Sequence, residues 1–441
     1  MEKKTISAGI IGAGGFIGQE HLKRLTKRID GVAVTALYDI NKEKTDALAA
    51  AYGAESMESV DALIASDKVD AIVITAWDGV HAEMTNKAIA AGKPVFCEKP
   101  LATTKADCAE IVRIEQAAGR NLVQVGFMRR YDPDYRKIKA ILDSGELGKP
   151  LMAHCISRTP RIAAGFTNAM QVTNVLIHEI DQFCLLFGEE LVRGQMLAAR
   201  NTKFAADGLN DPQLALMWTE SNILIDVECS VNSYYGYEIG MEIVCEKDTI
   251  RLPLPAEPII RSRLKVDNEI MDNWAERFPK AYDNELQHWI NHLRGIEPTA
   301  DPGSKDGFAA CCIADAMIAS QTSEAEIWYD RRRAWFVHRQ IPPLGRYAGR
   351  FRRAGQRLST GADYLLDAST RLSRVGAGHN EGFIEAFSNI YRSFCNVLSD
   401  RKAGRENTTD TFPTVEDGVL DVRFVEACVR SHTAGGVWMD V

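Results

Sequence analysis

The sequence has no apolar run approaching the roughly 18 residues that a membrane span needs. It also lacks a Cys-x-x-Cys pair and any Cys/His grouping at metal-ligand spacing. The first absence excludes a long spanning helix, and the second argues against a disulfide framework or a structural zinc site. The start, Met1-Glu2-Lys3-Lys4-Thr5, leads directly into a strand-like run without the apolar stretch of a signal peptide, so a cytoplasmic location is expected. The ten cysteines are scattered, and the adjacent Cys311 and Cys312 fall in an apolar helical stretch that suits buried thiols. A net charge of −8 offers no general reason to bind nucleic acid or an anionic membrane. The remainder is ordinary globular material: 46% hydrophobic and 25% charged over 441 residues, a length that asks for two or three domains.

From Ser7 to about Gly126, short β-rich runs alternate with helical stretches. Strands are expected at Ala8–Ile11, Val32–Tyr38, Ala71–Thr75, Pro94–Cys97 and Leu122–Val125, with helices such as Gln19–Arg28, Lys42–Tyr52 and His81–Ala91 between them. That alternation implies βαβ units and a parallel, doubly wound sheet. After a helix at Pro133–Ser144 the spacing turns hairpin-like, with strands at Leu151–Ser157, Pro212–Thr219, Ile223–Val231, Tyr237–Val244 and Thr249–Leu252. Helical stretches near Val172–Phe187 and Tyr282–Leu293 would cover one face of this open, mostly antiparallel sheet. The expected organisation is a dinucleotide-binding α/β domain over 1–127 and an α+β substrate and oligomerisation domain over 128–330.

Residues 331–376 break the pattern with eleven Arg, no Lys and only two acids, Asp363 and Asp367. The segment carries +9 and the rest of the chain −17. A solvated basic linker is the expected reading, and a phosphate- or RNA-binding strip the lesser one. The last stretch, 377–441, repeats an earlier pattern. Tyr282–Asp330 runs as helix, loop, Asp306-Gly307, helix and the short strand Ile327-Trp328-Tyr329. Phe383–Val441 does the same through Asp417-Gly418 to Val437-Trp438-Met439. The distance from the Asp-Gly glycine to the tryptophan is 21 positions in one copy and 20 in the other. The second copy is expected to dock on the core or on a neighbouring subunit.

At the first strand-to-helix junction stands Gly12-Ala13-Gly14-Gly15-Phe16-Ile17-Gly18, a GxGxxxG spacing with one residue more than the usual dinucleotide turn. Gly12 permits the tight turn, Gly14 allows close approach of a pyrophosphate, and the helix start supplies N–H groups and a positive dipole end. A purely structural turn is the alternative. Asp39 ends the second strand, 21 residues after Gly18, where a carboxylate accepts ribose hydroxyls and repels a 2′-phosphate. NAD is therefore expected over NADP. Lys99, in Cys97-Glu98-Lys99-Pro100, lies at the carboxyl end of a parallel strand and could steady a developing alkoxide. His178 could serve as the base for an alcohol proton, with Asn174 at i−4 on the same helix face.

Glu98-Lys99-Pro100, the run Gln124–Pro133 and Ile177-His178-Glu179-Ile180-Asp181 together resemble the glucose–fructose oxidoreductase/inositol dehydrogenase/MocA family, and within it the inositol 2-dehydrogenases. Thr75-Ala76-Trp77, Tyr235–Ile239 and Ala281-Tyr282-Asp283 are similar too, so the likeness covers roughly residues 6–330. The resemblance implies a Rossmann domain and NAD-dependent oxidation of a secondary hydroxyl of a cyclic polyol, myo-inositol foremost, to a 2-keto inosose. It implies Lys99 and His178 as catalytic residues. It implies Gly12, Gly14, Phe16, Ile17, Asp39, Thr75, Trp77, His81 and Glu98 for the cofactor, and Arg129, His154, Tyr235 and Tyr282 for the polyol. The family usually carries an aspartate where this chain has Asn174, which removes a charge that would favour an imidazolium. A homotetramer and no metal are further expectations. A pyranose or deoxy-sugar dehydrogenase and a non-catalytic NAD-binding sensor stand as alternatives.

Overall fold

Six strands that follow one another through helices can pair only in parallel, and each is sandwiched by those helices. This computed structural model describes residues 5–253, 259–262, 265–323, 325–330, 335–337, 383–406 and 412–440. Strands β1 (Ile6–Ile11), β2 (Val32–Tyr38), β3 (Glu55–Ser56), β4 (Ala71–Ile74), β5 (Val95–Glu98) and β6 (Val123–Gly126) form one sheet in the order β3-β2-β1-β4-β5-β6, parallel throughout. Every residue of β4, β5 and β6 is buried, as expected for strands covered on both faces. The order reverses between β1 and β4, which opens a crevice at their carboxyl ends.

Local chemistry sets the helix boundaries. In α2 (Lys42–Tyr52) the Asn41 side chain accepts from Lys44 N, and Gly53 ends the helix at φ +72°. In α6 (Pro133–Ser144) Asp132 caps the start, Pro133 occupies the first turn and Gly145 closes the end. The other helices around this sheet are α1 (Phe16–Lys27), α3 (Val60–Ala65), α4 (His81–Ala90) and α5 (Lys105–Ala118).

The second sheet contains β7 (Pro150–Arg158), β8 (Leu191–Ala198), β9 (Gln213–Thr219), β10 (Leu224–Ser230), β11 (Glu238–Cys245), β12 (Thr249–Arg251), β15 (Ile327–Asp330) and β16 (Trp335–Val337). Its order is β12-β11-β7-β10-β9-β8-β15-β16. Only β7 and β10 pair in parallel; the other neighbours are antiparallel. A separate hairpin is made by β13 (Ile259–Ser262) and β14 (Lys265–Asn268). Along β9, β10 and β11, buried residues alternate with half-exposed ones, so one face is packed and the other remains open. Helix α7 (Ile177–Phe187) lies on the packed side and is entered through a π-helical turn, Gln171–Leu176.

Two later helices return to the first sheet. Helix α8 (Pro279–Leu293) buries Leu286, Trp289 and Ile290 with Ile10, Leu22, Leu25 and Phe96, and Arg24 of α1 reaches Asp283. Helix α9 (Ser304–Ser323) packs against α5 and β8, and Gly307 lies where a Cβ would sit 2.9 Å from Leu101. Residues 1–338 form one compact unit.

Residues 339–441 form a second unit, in which α10 (Phe383–Lys402) and α11 (Val415–Thr433) are described. The strand expected at Val437–Met439 is not formed there. Most of the Arg-rich stretch 331–376 lies outside the described residues. No helix among the described residues is long and apolar enough to cross a membrane.

Candidate active site

The turn after β1 is built around glycine. Gly12 has φ +87°, and a Cβ there would lie 2.5 Å from Ala76 N, so no side chain fits between the β1 and β4 ends. A Cβ on Gly14 would meet the Asp39 carboxylate at 2.9 Å. Gly14 N instead donates to Asp39 Oδ2 at 2.8 Å, and Asn41 N donates to Oδ1 at 3.0 Å. Asp39 is therefore fixed beside the Gly-rich turn, with lone pairs left on both oxygens. Helix α1 begins just past Gly15, presenting its N–H groups to the same place. This cradle fits a dinucleotide: bare backbone for a pyrophosphate and an oriented carboxylate for ribose hydroxyls.

Several of the residues expected at the cofactor hold this architecture together. The Thr75 hydroxyl donates to the carbonyls of Ile11 and Gly12 at 3.0 and 3.2 Å, tying the β4 end to the β1 end. His81 is buried, with Nδ1 2.7 Å from Pro100 O and Nε2 3.0 Å from Ala76 O. Only an imidazolium can donate to both carbonyls. Burial works against that charge, but Cys97, the Pro100 carbonyl and Asp78 outweigh it and push the pKa up to about 10. Glu98 pairs with the buried His21 at 2.7 Å and receives Lys99 N at 3.2 Å. Phe16 and Trp77 are exposed by 61% and 74%; Phe16 meets Trp274 edge-on.

A cavity of about 300 Å³ opens beside this crevice, and it is here that Ile17, His81, Glu98, Lys99, Arg129, Asn174, His178 and Tyr282 come together. Lys99 Nζ donates to the Asn174 backbone carbonyl at 3.1 Å. Burial lowers the lysine pKa, Glu98 and Asp78 oppose that, and Arg129 adds to it. His178 is buried, and burial together with the Arg129 and Lys99 charges holds its pKa well below the usual imidazole value. It is thus a neutral ring at ordinary pH, and its Nδ1 has no hydrogen-bond partner among the described residues. Arg129 is buried and ion-paired with Glu179. Burial raises the Tyr282 pKa well above the phenol range, so its hydroxyl stays protonated.

Two expectations change. His154 does not line this cavity. It points to the other face of β7, half-exposed, and pairs with Asp226 at 2.6 Å, because Ala153, Cys155 and Ser157 take the inward positions of the alternating strand. Tyr235 is likewise outside, 50% exposed, with its hydroxyl on Glu238 and Arg158. Its near neighbour Tyr237 is buried and lines the cavity instead. Asn174 and His178 both line the cavity, Asn174 from a π-helical turn and His178 from the first turn of the helix that follows it. With its oxygen and nitrogen exchanged, the orientation that satisfies both, the Asn174 amide donates to Asp78 Oδ2 and the Thr173 carbonyl at 3.0 and 3.3 Å.

Sequence reasoning missed Asp78, Ser157, Thr159, Phe166, Tyr237 and Trp274. For Ser157 the signal was available: it has the buried parity of β7. Tyr237 carries the same signal, two positions before Ile239 on the buried parity of β11; for the rest, which lie outside the strands, no periodicity pointed inward.

Comparison with known proteins agrees with this geometry. Residues 6–127 match the family described as "Oxidoreductase family, NAD-binding Rossmann fold", and residues 135–251 match the "GFO/IDH/MocA C-terminal domain". Inositol 2-dehydrogenase 3 of Saccharopolyspora erythraea is 43% identical over 314 residues, 71% of this chain and 92% of that protein. Inositol 2-dehydrogenase of Burkholderia lata is 42% identical over 323 residues, 73% and 95% of the two chains. Among solved structures, the myo-inositol dehydrogenase of Lactobacillus casei, in complex with NAD(H) and myo-inositol, is similar with a TM-score of 0.72 and 33% identity. It covers 74% of this chain and 97% of its own. The chain belongs to the GFO/IDH/MocA family of NAD-binding oxidoreductases.

Proposed function

We propose that this protein oxidises one secondary hydroxyl of a cyclic polyol, myo-inositol, to the 2-keto inosose. The observation that carries the reading is the convergence of a buried lysine and a buried, uncharged histidine on one cavity beside the Gly12–Asp39 cradle. Its volume of about 300 Å³ is at the small end of ligand sites, which suits a single ring. The inositol dehydrogenases among the relatives support the same substrate.

NAD, when bound, supplies the acceptor for the hydride that leaves the carbinol carbon. Gly12, Gly14 and the start of α1 would hold its pyrophosphate and Asp39 its ribose hydroxyls. Lys99 donates a hydrogen bond to the reacting oxygen and stabilises the negative charge that grows there. His178 takes the hydroxyl proton, and because Nδ1 is enclosed the acceptor is Nε2. The neutral state of His178 is what makes it a base, and burial maintains it. Arg129, held by Glu179, and the protonated phenol of Tyr282 provide fixed donors for the other hydroxyls of the ring. The proposal extends to a homotetramer in the cytoplasm, with the open face of the second sheet as the surface offered for assembly.

Steady-state kinetics with NAD and NADP against myo-inositol, scyllo-inositol and glucose test the reading. The highest kcat/KM is expected for NAD with myo-inositol. A better pyranose would replace the substrate, and tight NAD binding without turnover of any polyol would replace the enzyme with a sensor. The mass in solution tests the tetramer.

A further inference from the structure

Asp78 opens the short turn (Asp78–Val80) between β4 and α4, and it belongs to none of the motifs that marked the site. It lines the same cavity as Lys99, Asn174 and His178. With the Asn174 amide turned so that both its atoms are satisfied, its nitrogen donates to Asp78 Oδ2 at 3.0 Å, while the Asn174 backbone carbonyl accepts from Lys99 Nζ at 3.1 Å. Asn174 thus meets an anion through its side chain and a cation through its backbone, in the π-helical turn that leads into α7. The carboxylate also answers a local excess of positive charge. Lys99, Arg129 and the doubly donating His81 all border the cavity. Arg129 is matched by Glu179 and Glu98 is engaged with His21, so Asp78 is the carboxylate on the cavity wall without an ion pair among the described residues.

We propose that Asp78 is a positioning residue for the reaction: it holds the Asn174 side chain so that the Asn174 backbone carbonyl aims Lys99, and its charge favours Lys99 as an ammonium. The proposal rests on the role given to Lys99 above. The groups facing that lysine are Glu98 on β5, Asp78 after β4, Arg129 after β6, and His178 on α7. Glu98 and Asp78 favour the charged amine; burial and Arg129 oppose it. Removing one opposite charge at close range lowers a pKa by about one unit or more. Lys99 acts when protonated, so its pKa sets the basic limb of the rate profile, and loss of the Asp78 charge moves that limb to lower pH.

Asp78→Asn tests this on the full-length protein, because asparagine keeps a carbonyl that can accept the Asn174 amide while removing the charge. Two readouts run side by side: the pH profile of kcat with NAD and myo-inositol, and the pH dependence of Lys99 acetylation by acetic anhydride, followed by peptide mass spectrometry. Both midpoints are expected to fall together by about one pH unit, with NADH affinity retained. Asp78→Ala, which also frees Asn174, is expected to lower kcat further. An acetylation midpoint that does not move in Asp78→Asn overturns the proposal, as does an effect confined to KM. The acetylation readout needs no turnover. A wild-type protein inactive on every polyol would therefore refute the proposed reaction while the Asp78–Lys99 coupling is still read directly.

Discussion

The helix–loop–helix pattern that occurs twice in this chain is buried within the first unit in one copy and carries exposed apolar side chains in the other. In α8 and α9, Leu286, Trp289, Ile290, Cys312 and Met317 are all buried, and β15 continues the module into the second sheet by pairing with β8. In α10 and α11, Phe387, Ile390, Tyr391, Phe394, Val422, Phe424 and Val425 are exposed, and no strand follows. Both copies are amphipathic and both fold as helices, so periodicity determines the helix but not its burial. Burial needs a receiving surface. The first copy has the β1–β5 side of the parallel sheet beneath it and the edge of β8 to extend; a strand such as Val437–Met439 cannot form without an edge to pair with. An apolar surface of that extent is a candidate for association.

The contrast can be tested from its largest effect downward. All the chemistry is assigned to the unit that holds the buried copy, so Lys99→Ala should lower kcat by roughly 10²–10⁴-fold, the scale of a general acid–base group. NADH binding, followed by fluorescence, should persist. A near-normal kcat would remove Lys99 from the reaction. In stability, Trp289→Ala should cost about 3–5 kcal/mol in urea denaturation, because its ring is enclosed against Phe96. Phe394→Ala should change stability by less than about 0.5 kcal/mol, as exposed positions do. Equal losses would erase the contrast and show that the second copy is buried in the assembled protein.

Smaller effects sharpen the picture within the first unit. Asp39→Ala should narrow the preference for NAD over NADP by about tenfold, equivalent to about 1.4 kcal/mol; equal use of both by the unmodified enzyme would sink the assignment. Asn174→Asp adds a carboxylate near His178, whose pKa is held low by burial, Arg129 and Lys99. The imidazolium is then favoured, the histidine pKa rises, and the acidic limb of kcat/KM moves to higher pH. An unmoved limb would show that the π-helical turn keeps the two side chains apart. The smallest effect is expected from a stop after His338: kcat and KM for polyol and NAD should not change. A folded truncation without turnover would place part of the active site in the second unit.

What was legible from the residues alone was whatever is written in local chemistry or short-range pattern. The bounds of β2, α2 and α6 coincide with expectation because alternation, caps and C-terminal glycines all act within a few positions. That Gly12, Gly14 and Asp39 would meet at one turn was readable because each is demanded by a turn or a strand end next to it. The strand β8 was missed, since a half-buried run with an internal Gly194 has no strong period; its glycine makes room for Met317 of a distant helix.

The sequence by itself determined that there would be a parallel nucleotide-binding sheet, a second mostly antiparallel sheet, and a lysine and a histidine available for chemistry. Tertiary structure decided which side chains meet. It turned His154 outward by strand parity, replaced Tyr235 with Tyr237, and brought Asp78 from a turn 96 positions away onto Asn174. The physical reason is range. Helix caps and glycine turns act between neighbours in the chain, whereas a cavity wall is assembled from residues that become neighbours only when two sheets and the returning helices pack around one core.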